Sequence, residues 1–206
     1  MACRFGVIAA LAAMVLTPLL STPAGATFAG TNGKIAFYRE GDVWVMNPNG
    51  TGATKLTTNY NAEDNPAISP DGSRIAYEFL RAIWIMNADG SGQRALTDGD
   101  PEDGDPAWSP DDTRLVFYRS GDLWVMNADG SGQVNLTKTP TIEEEDPAWS
   151  PLGGAIAYTR IGCATGDGAH CVYRMNADGS GQTNLTPEDL LPQCPNQPGY
   201  GHYGRS

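Results

Sequence analysis

The chain has 206 residues, with 13 basic against 24 acidic side chains and a net charge of −11. That balance makes nucleic acid and anionic membrane surfaces poor partners. The length suits one well-cored domain.

At the amino terminus Arg4 precedes the apolar run 5–20 and the small-residue stretch Ser21-Thr22-Pro23-Ala24-Gly25-Ala26, which fits an export cleavage site. The run is interrupted by Thr17 and Pro18 and falls short of the ~20 apolar residues that a membrane span needs. Residues 1–26 are therefore expected to be a signal peptide, 27–192 the folded domain and 193–206 a loose tail. The expected location is secreted or periplasmic, with no membrane span after cleavage. Cys163, Cys171 and Cys194 then lie in a compartment that permits disulfides, and an odd count leaves one without an intrachain partner.

From there the chain repeats. The first copy carries the β-rich segments Lys34–Tyr38 and Val43–Met46. The second carries Arg74–Tyr77 and Ile83–Met86, the third Arg114–Tyr118 and Leu123–Met126, and the fourth Ala155–Tyr158 and Val172–Met175. Met-Asn recurs at Met46, Met86, Met126 and Met175, and Leu-Thr at Leu56, Leu96, Leu136 and Leu185. Pro-Ala-(Ile/Trp)-Ser-Pro begins at Pro66, Pro106 and Pro147, so three markers keep one register of about 40 residues. Between the segments lie Ser-Pro-Asp-Gly and Asn-Ala-Asp-Gly-Ser-Gly, whose proline, Asx and glycine residues suit tight turns.

Each copy thus reads as four short strands, termed a to d, and one such sheet cannot bury both faces until neighbours stack on it. The fold class expected is all-β, a β-propeller of four four-stranded antiparallel blades. Trp44, Trp84, Trp124 and Tyr173 on strand c, with Trp108 and Trp149 on strand a, are expected to pack between blades. The first copy lacks strand a, and Asp189–Pro192 is the segment expected to supply it and close the ring. An open or partial propeller is the alternative.

Pro106-Ala107-Trp108-Ser109-Pro110-Asp111, together with Leu123-Trp124-Val125-Met126-Asn127-Ala128-Asp129-Gly130-Ser131-Gly132, resembles the TolB-type, WD-like propeller repeat. The likeness covers about residues 33–192. In that family the propeller of periplasmic TolB is a protein-docking platform of the Tol-Pal envelope system, and similar blades precede peptidase domains in prolyl oligopeptidase-like enzymes. About four repeats are read here where the family has six.

Catalytic chemistry finds little footing. No Gly-x-Ser-x-Gly elbow occurs, and the two histidines, His170 and His202, fall in an insertion and in the tail. The insertion lengthens the b–c connection of the fourth copy, where a Cys163–Cys171 disulfide suits the compartment better than a zinc site built with His170. Acidic residues gather before strand a: Glu63 and Asp64; Asp98, Asp100, Glu102, Asp103 and Asp105; Glu143, Glu144, Glu145 and Asp146. In a propeller these connections surround one mouth of the axial channel and would form a negative rim. The partner expected is a protein or cell-surface polymer of basic character. No cofactor is expected, calcium being the one cation that such carboxylates would suit. The function expected is that of an exported, non-catalytic scaffold. A carbohydrate- or cation-binding propeller, or a fragment of a larger propeller protein, is the alternative.

Overall fold

The computed structural model describes residues 33–58, 63–139, 141–162 and 170–186. The expected signal peptide, Cys163, Cys194, the 189–192 segment and the 193–206 tail lie outside the described residues.

The described residues form strands in four antiparallel sheets. The first sheet holds β1 (Ile35–Arg39), β2 (Asp42–Met46) and β3 (Thr54–Lys55). The second holds β4 (Glu63–Ile68), β5 (Arg74–Phe79), β6 (Ala82–Asn87) and β7 (Arg94–Ala95). The third holds β8 (Asp103–Trp108), β9 (Arg114–Arg119), β10 (Asp122–Asn127) and β11 (Val134–Asn135). The fourth holds β12 (Glu144–Trp149), β13 (Ala155–Ile161), β14 (His170–Asn176) and β15 (Thr183–Asn184). Within each sheet the strands pair in chain order. The first sheet has three strands where the repeat calls for four, and the other three have their full set.

The recurring motifs are the local hydrogen-bonding devices that make these blades. After each two-residue outer strand the Leu-Thr pair carries the ladder onward. The Leu96 amide donates to the Ile83 carbonyl at 2.7 Å, and the Ile83 amide donates to the Thr97 hydroxyl at 2.9 Å. Leu56-Thr57, Leu136-Thr137 and Leu185-Thr186 do the same for Val43, Leu123 and Val172. A threonine hydroxyl thereby replaces a backbone acceptor where the outer strand peels away. In Ser-Pro-Asp-Gly, the Ser69 hydroxyl donates to Asp71 at 2.6 Å and accepts the Arg74 amide at 3.0 Å, closing the a–b turn.

Side chains on a strand alternate between two faces, and here both faces are apolar, so the second and third sheets each pack on two neighbours. One core joins the second and third sheets, with Ala76, Ile83, Ile85 and Leu96 facing Trp108, Leu115, Phe117 and Met126. A second joins the third and fourth through Val116, Leu123, Val125 and Leu136 against Trp149, Ile156, Tyr158 and Met175. A third joins the first and second through Val43 and Val45 against Ile75, Tyr77 and Met86. Each large apolar side chain so buried contributes about 1.5–3 kcal/mol relative to exposure. Polar contacts fix the same interfaces: the Trp108 indole N–H donates to the Ala67 carbonyl at 3.0 Å, and the Arg74 guanidinium lies 4.5 Å from the centre of the Trp108 ring.

Trp84, Trp124 and Tyr173 flank these cores, on the inter-blade faces. Trp44 occupies the equivalent place in the first sheet, stacked on Phe37 with Arg39 over its ring. Among the described residues no further sheet covers that face. Ile35 is consequently 41% exposed, where its counterparts Ile75, Leu115 and Ile156 are 0% exposed.

Candidate functional site

The first strands of successive sheets, β4, β8 and β12, touch one another, whereas the two-residue outer strands contact their own sheets. The inner strands therefore converge on a common axis. Their first residues lie beside the b–c turns of the preceding sheet: the amides of Glu63, Asp103 and Glu144 donate to the carbonyls of Gly41, Arg81 and Gly121. The acidic segments and the b–c turns thus share one face. The Asn-Ala-Asp-Gly turns instead lie beside the a–b turns, as the Ala88 amide donating to the Ser73 carbonyl shows.

Each inner strand carries a bulge at its third residue, where the register with strand b shifts. The bulge residues Asn65, Asp105 and Asp146 have φ of 47°, 51° and 50°. Asx residues are the ones that tolerate this left-handed region, and a bulge re-aims its side chain. The consequence is a chain of polar groups across the axis. Asn65 donates its side-chain amide to Asp105 at 2.7 Å, and the Asp146 backbone amide hydrogen-bonds the Asp105 carboxylate. Burial raises the pKa of Asp105, and the nearby charges of Asp146, Glu145 and Asp64 add to the effect.

Glu78, on β5, points into the same group. Its pKa is raised to about 7, first by burial and then by Asp105, Asp64 and Glu102, against a hydrogen bond from Asn65. Gly104 makes the room: a Cβ there would sit 2.8 Å from Glu78 Oε2. Carboxylates from three sheets therefore crowd one mouth of the axis. Beside it, a shallow cleft of about 520 Å³ runs between Tyr118, Glu143 and Ile161, at the root of the long b–c connection. Among the described residues no group of three or more His, Cys, Asp or Glu side chains is arranged to hold a metal ion.

No protein-family model matches the sequence, and no curated protein matches it significantly. Solved structures do match in fold. A TolB protein from Agrobacterium tumefaciens superposes with a TM-score of 0.66 at 23% identity, over 74% of this chain and 60% of that one. TolB from Acinetobacter baumannii gives 0.63 at 22% identity, over 76% of this chain and 42% of its own. The chain has the TolB-like propeller fold. A chain of a nidogen/laminin complex matches as well, with a TM-score of 0.65 at 14% identity, over 77% of this chain and 63% of its own. This TolB-like propeller thus spans less than two thirds of the length of each of these structures.

Within the TolB-like propeller the residues expected on the rim divide into two sets. Asp98, Asp100, Glu143 and Asp146 are exposed, and Asp105 and Glu145 are half-buried. Glu102, also half-buried, bonds Arg81 at 3.1 Å. Asp103 and Glu144 are instead wholly buried, because the acidic run continues into strand a and its first side chain turns inward. There Asp103 accepts from Arg119 at 2.8 Å and Glu144 from Arg160 at 2.8 Å, so these two brace the blade and do not meet a partner. The equivalent Glu63 is buried too.

Cys171 is wholly buried at the start of β14, and its expected partner Cys163 lies outside the described residues. His170 faces Glu145 at 3.4 Å on the acidic side. Sequence reasoning passed over Glu78, Asn65 and Gly104. One signal for Glu78 was available: an acid in the strand-b position where other copies carry Tyr38, Tyr118 and Thr159.

Proposed function

We propose that this TolB-like propeller is an exported, non-catalytic binding module whose acidic axial face holds a basic segment of a protein or cell-surface polymer. The observation that carries this reading is the convergence of Asp64, Glu78, Asp105, Glu145 and Asp146 on one mouth, close enough for their charges to raise the pKa of Glu78 and Asp105. A concave site of one sign attracts and orients an oppositely charged segment. A structure of similar fold was solved as a nidogen/laminin complex, an assembly of proteins. The fourth sheet's b–c connection borders this face through its described ends, Ile161 and His170. Its ladder runs out to the Ile161–His170 pair, next to Cys171, and a Cys163–Cys171 bridge would hold it, constraining the unfolded chain by about 2–3 kcal/mol.

The test is capture from an envelope extract at low and at high salt. Immobilised protein recovers a partner at low salt and loses most of it at high salt, where the Debye length shrinks to a few ångströms. A variant carrying Asp98→Asn, Asp100→Asn, Glu145→Gln and Asp146→Asn recovers about tenfold less, as loss of several rim charges slows association. Equal recovery by variant and parent at both salt levels contradicts the reading.

A further inference from the structure

Two neighbouring slots on the acidic face are built alike and filled differently. In each, the backbone amide that opens strand a donates to a carbonyl of the preceding sheet's b–c turn: Asp103 to Arg81 between the second and third sheets, and Glu144 to Gly121 between the third and fourth. Arg81 and Gly121 therefore hold the same place, and so do Glu102 and Glu143, each the residue before that amide. Between the second and third sheets the two side chains meet, Arg81 bonding Glu102 at 3.1 Å. Between the third and fourth, Gly121 stands where the arginine would, and a Cβ built on it lies 3.8 Å from Glu143 Cγ. Glu143 forms no ion pair among the described residues.

In place of an arginine this second slot holds the cleft of about 520 Å³, lined by Tyr118, Gly121, Ile142, Glu143 and Ile161. Its chemistry is mixed. An aromatic ring and two aliphatic side chains suit a methylene stem, and one exposed carboxylate suits a cation. Burial raises the pKa of Tyr118, and the charges of Glu143, Glu102 and Asp105 add to it, so the potential in the cleft is negative.

We propose that this cleft receives one arginine side chain of the bound partner, whose guanidinium takes the place beside Glu143 that Arg81 takes beside Glu102. The inference rests on the basic-segment reading of the acidic face and gives that segment a fixed point of attachment, one arginine seated between the third and fourth sheets. Arginine suits the place better than lysine, since its flat guanidinium can stack on the Tyr118 ring and still present N–H groups edge-on to the carboxylate. The slot between the second and third sheets is closed to the partner by Arg81 itself.

The probe is the peptide acetyl-Gly-Gly-Arg-Gly-Gly-amide at low salt, compared with its citrulline counterpart, which keeps the shape and lacks the charge. Amide NMR shifts on the full chain locate the binding. The expected result is saturable shifts at Gly121, Ile142 and Glu143 with the arginine peptide, and about tenfold weaker binding of the citrulline one. Gly121→Arg, which sets the chain's own guanidinium in the cleft, abolishes the binding, whereas Gly121→Ala keeps it. Arg81, with φ of 64°, shows that this turn accepts an arginine. Glu143→Gln, which leaves the turn untouched, weakens binding about two- to fivefold, the range of an exposed ion pair. Binding unchanged by both Gly121→Arg and Glu143→Gln, equal binding of the two peptides, shifts confined to Asp64, Glu78 and Asp105, or no shifts at all overturns the proposal. The capture variant changes neither Gly121 nor Glu143, so the two claims fail separately. Partner recovery that falls in that variant but not with Gly121→Arg removes the arginine cleft and leaves the binding face standing.

Discussion

Glu78 shows how much one side chain reports about this face. Its pKa of about 7, against an ordinary 4.5, means that the folded protein holds the proton more tightly than the unfolded chain does. The stability linked to its neutral form is complete below about 4.5 and is lost as pH rises through 7. Glu78→Gln, which keeps the shape and removes the charge, therefore leaves the melting temperature nearly unchanged at the acid end. Well above neutrality it raises it by roughly 2–4 °C, the equivalent of about 1 kcal/mol in a domain of this size after discounting for partial solvent screening. Thermal melts across pH check this, and a shift independent of pH contradicts it. Asp71 behaves in the opposite sense: bonds from the Ser69 and Ser73 hydroxyls and the Ser73 amide lower its pKa to about 2, so its contribution persists until strongly acid conditions.

At the scale of the element, the Asn-Ala-Asp-Gly turns are self-contained and also seat one blade on the next. The Asp129 carboxylate accepts the Ser131 amide at 2.9 Å and its hydroxyl at 2.6 Å, both on Oδ1, which closes the turn on itself. Gly130 has φ of 94°, and a Cβ there would sit 2.9 Å from the Leu96 carbonyl oxygen of the preceding sheet. Gly90 and Gly179 meet Leu56 and Leu136 in the same way. Gly130→Ala should therefore destabilise by at least about 2 kcal/mol through backbone strain plus the clash, lowering the melting temperature by roughly 4–8 °C. Gly72→Ala, with φ of 74° and nothing within 4 Å, carries the strain without the clash and costs about half as much. Equal losses would mean that the turn does not seat on its neighbour.

The motifs made this level legible in advance, since Leu-Thr, Ser-Pro-Asp-Gly and Asn-Ala-Asp-Gly are local bonding devices readable within a few residues. The start of strand a was not legible. Asp103 and Glu144 look like loop acids until their arginines, 16 residues further on in the paired strand, are seen beside them. Charge in sequence does not say which way a side chain turns.

For the whole molecule, the 40-residue period announced stacked sheets, and the three cores between neighbouring sheets are what that period encodes. The convergence at the axis was less visible, because it arises from bulges and from Gly104 making space, neither of which leaves a hydrophobic pattern. The account depends on that convergence: Asp105 of the third sheet meets Asp64 and Glu78, which pair within the second, only when the sheets radiate from a common line. Side-chain carboxyl titration of Glu78 by NMR measures it directly. A midpoint near 7 that falls when Asp64 and Asp105 are both replaced by asparagine, and stays above 4.5 because burial, the larger cause, persists, is the predicted result. An ordinary midpoint near 4.5 in the parent protein, unchanged by those replacements, would contradict the radial arrangement and the binding face built on it.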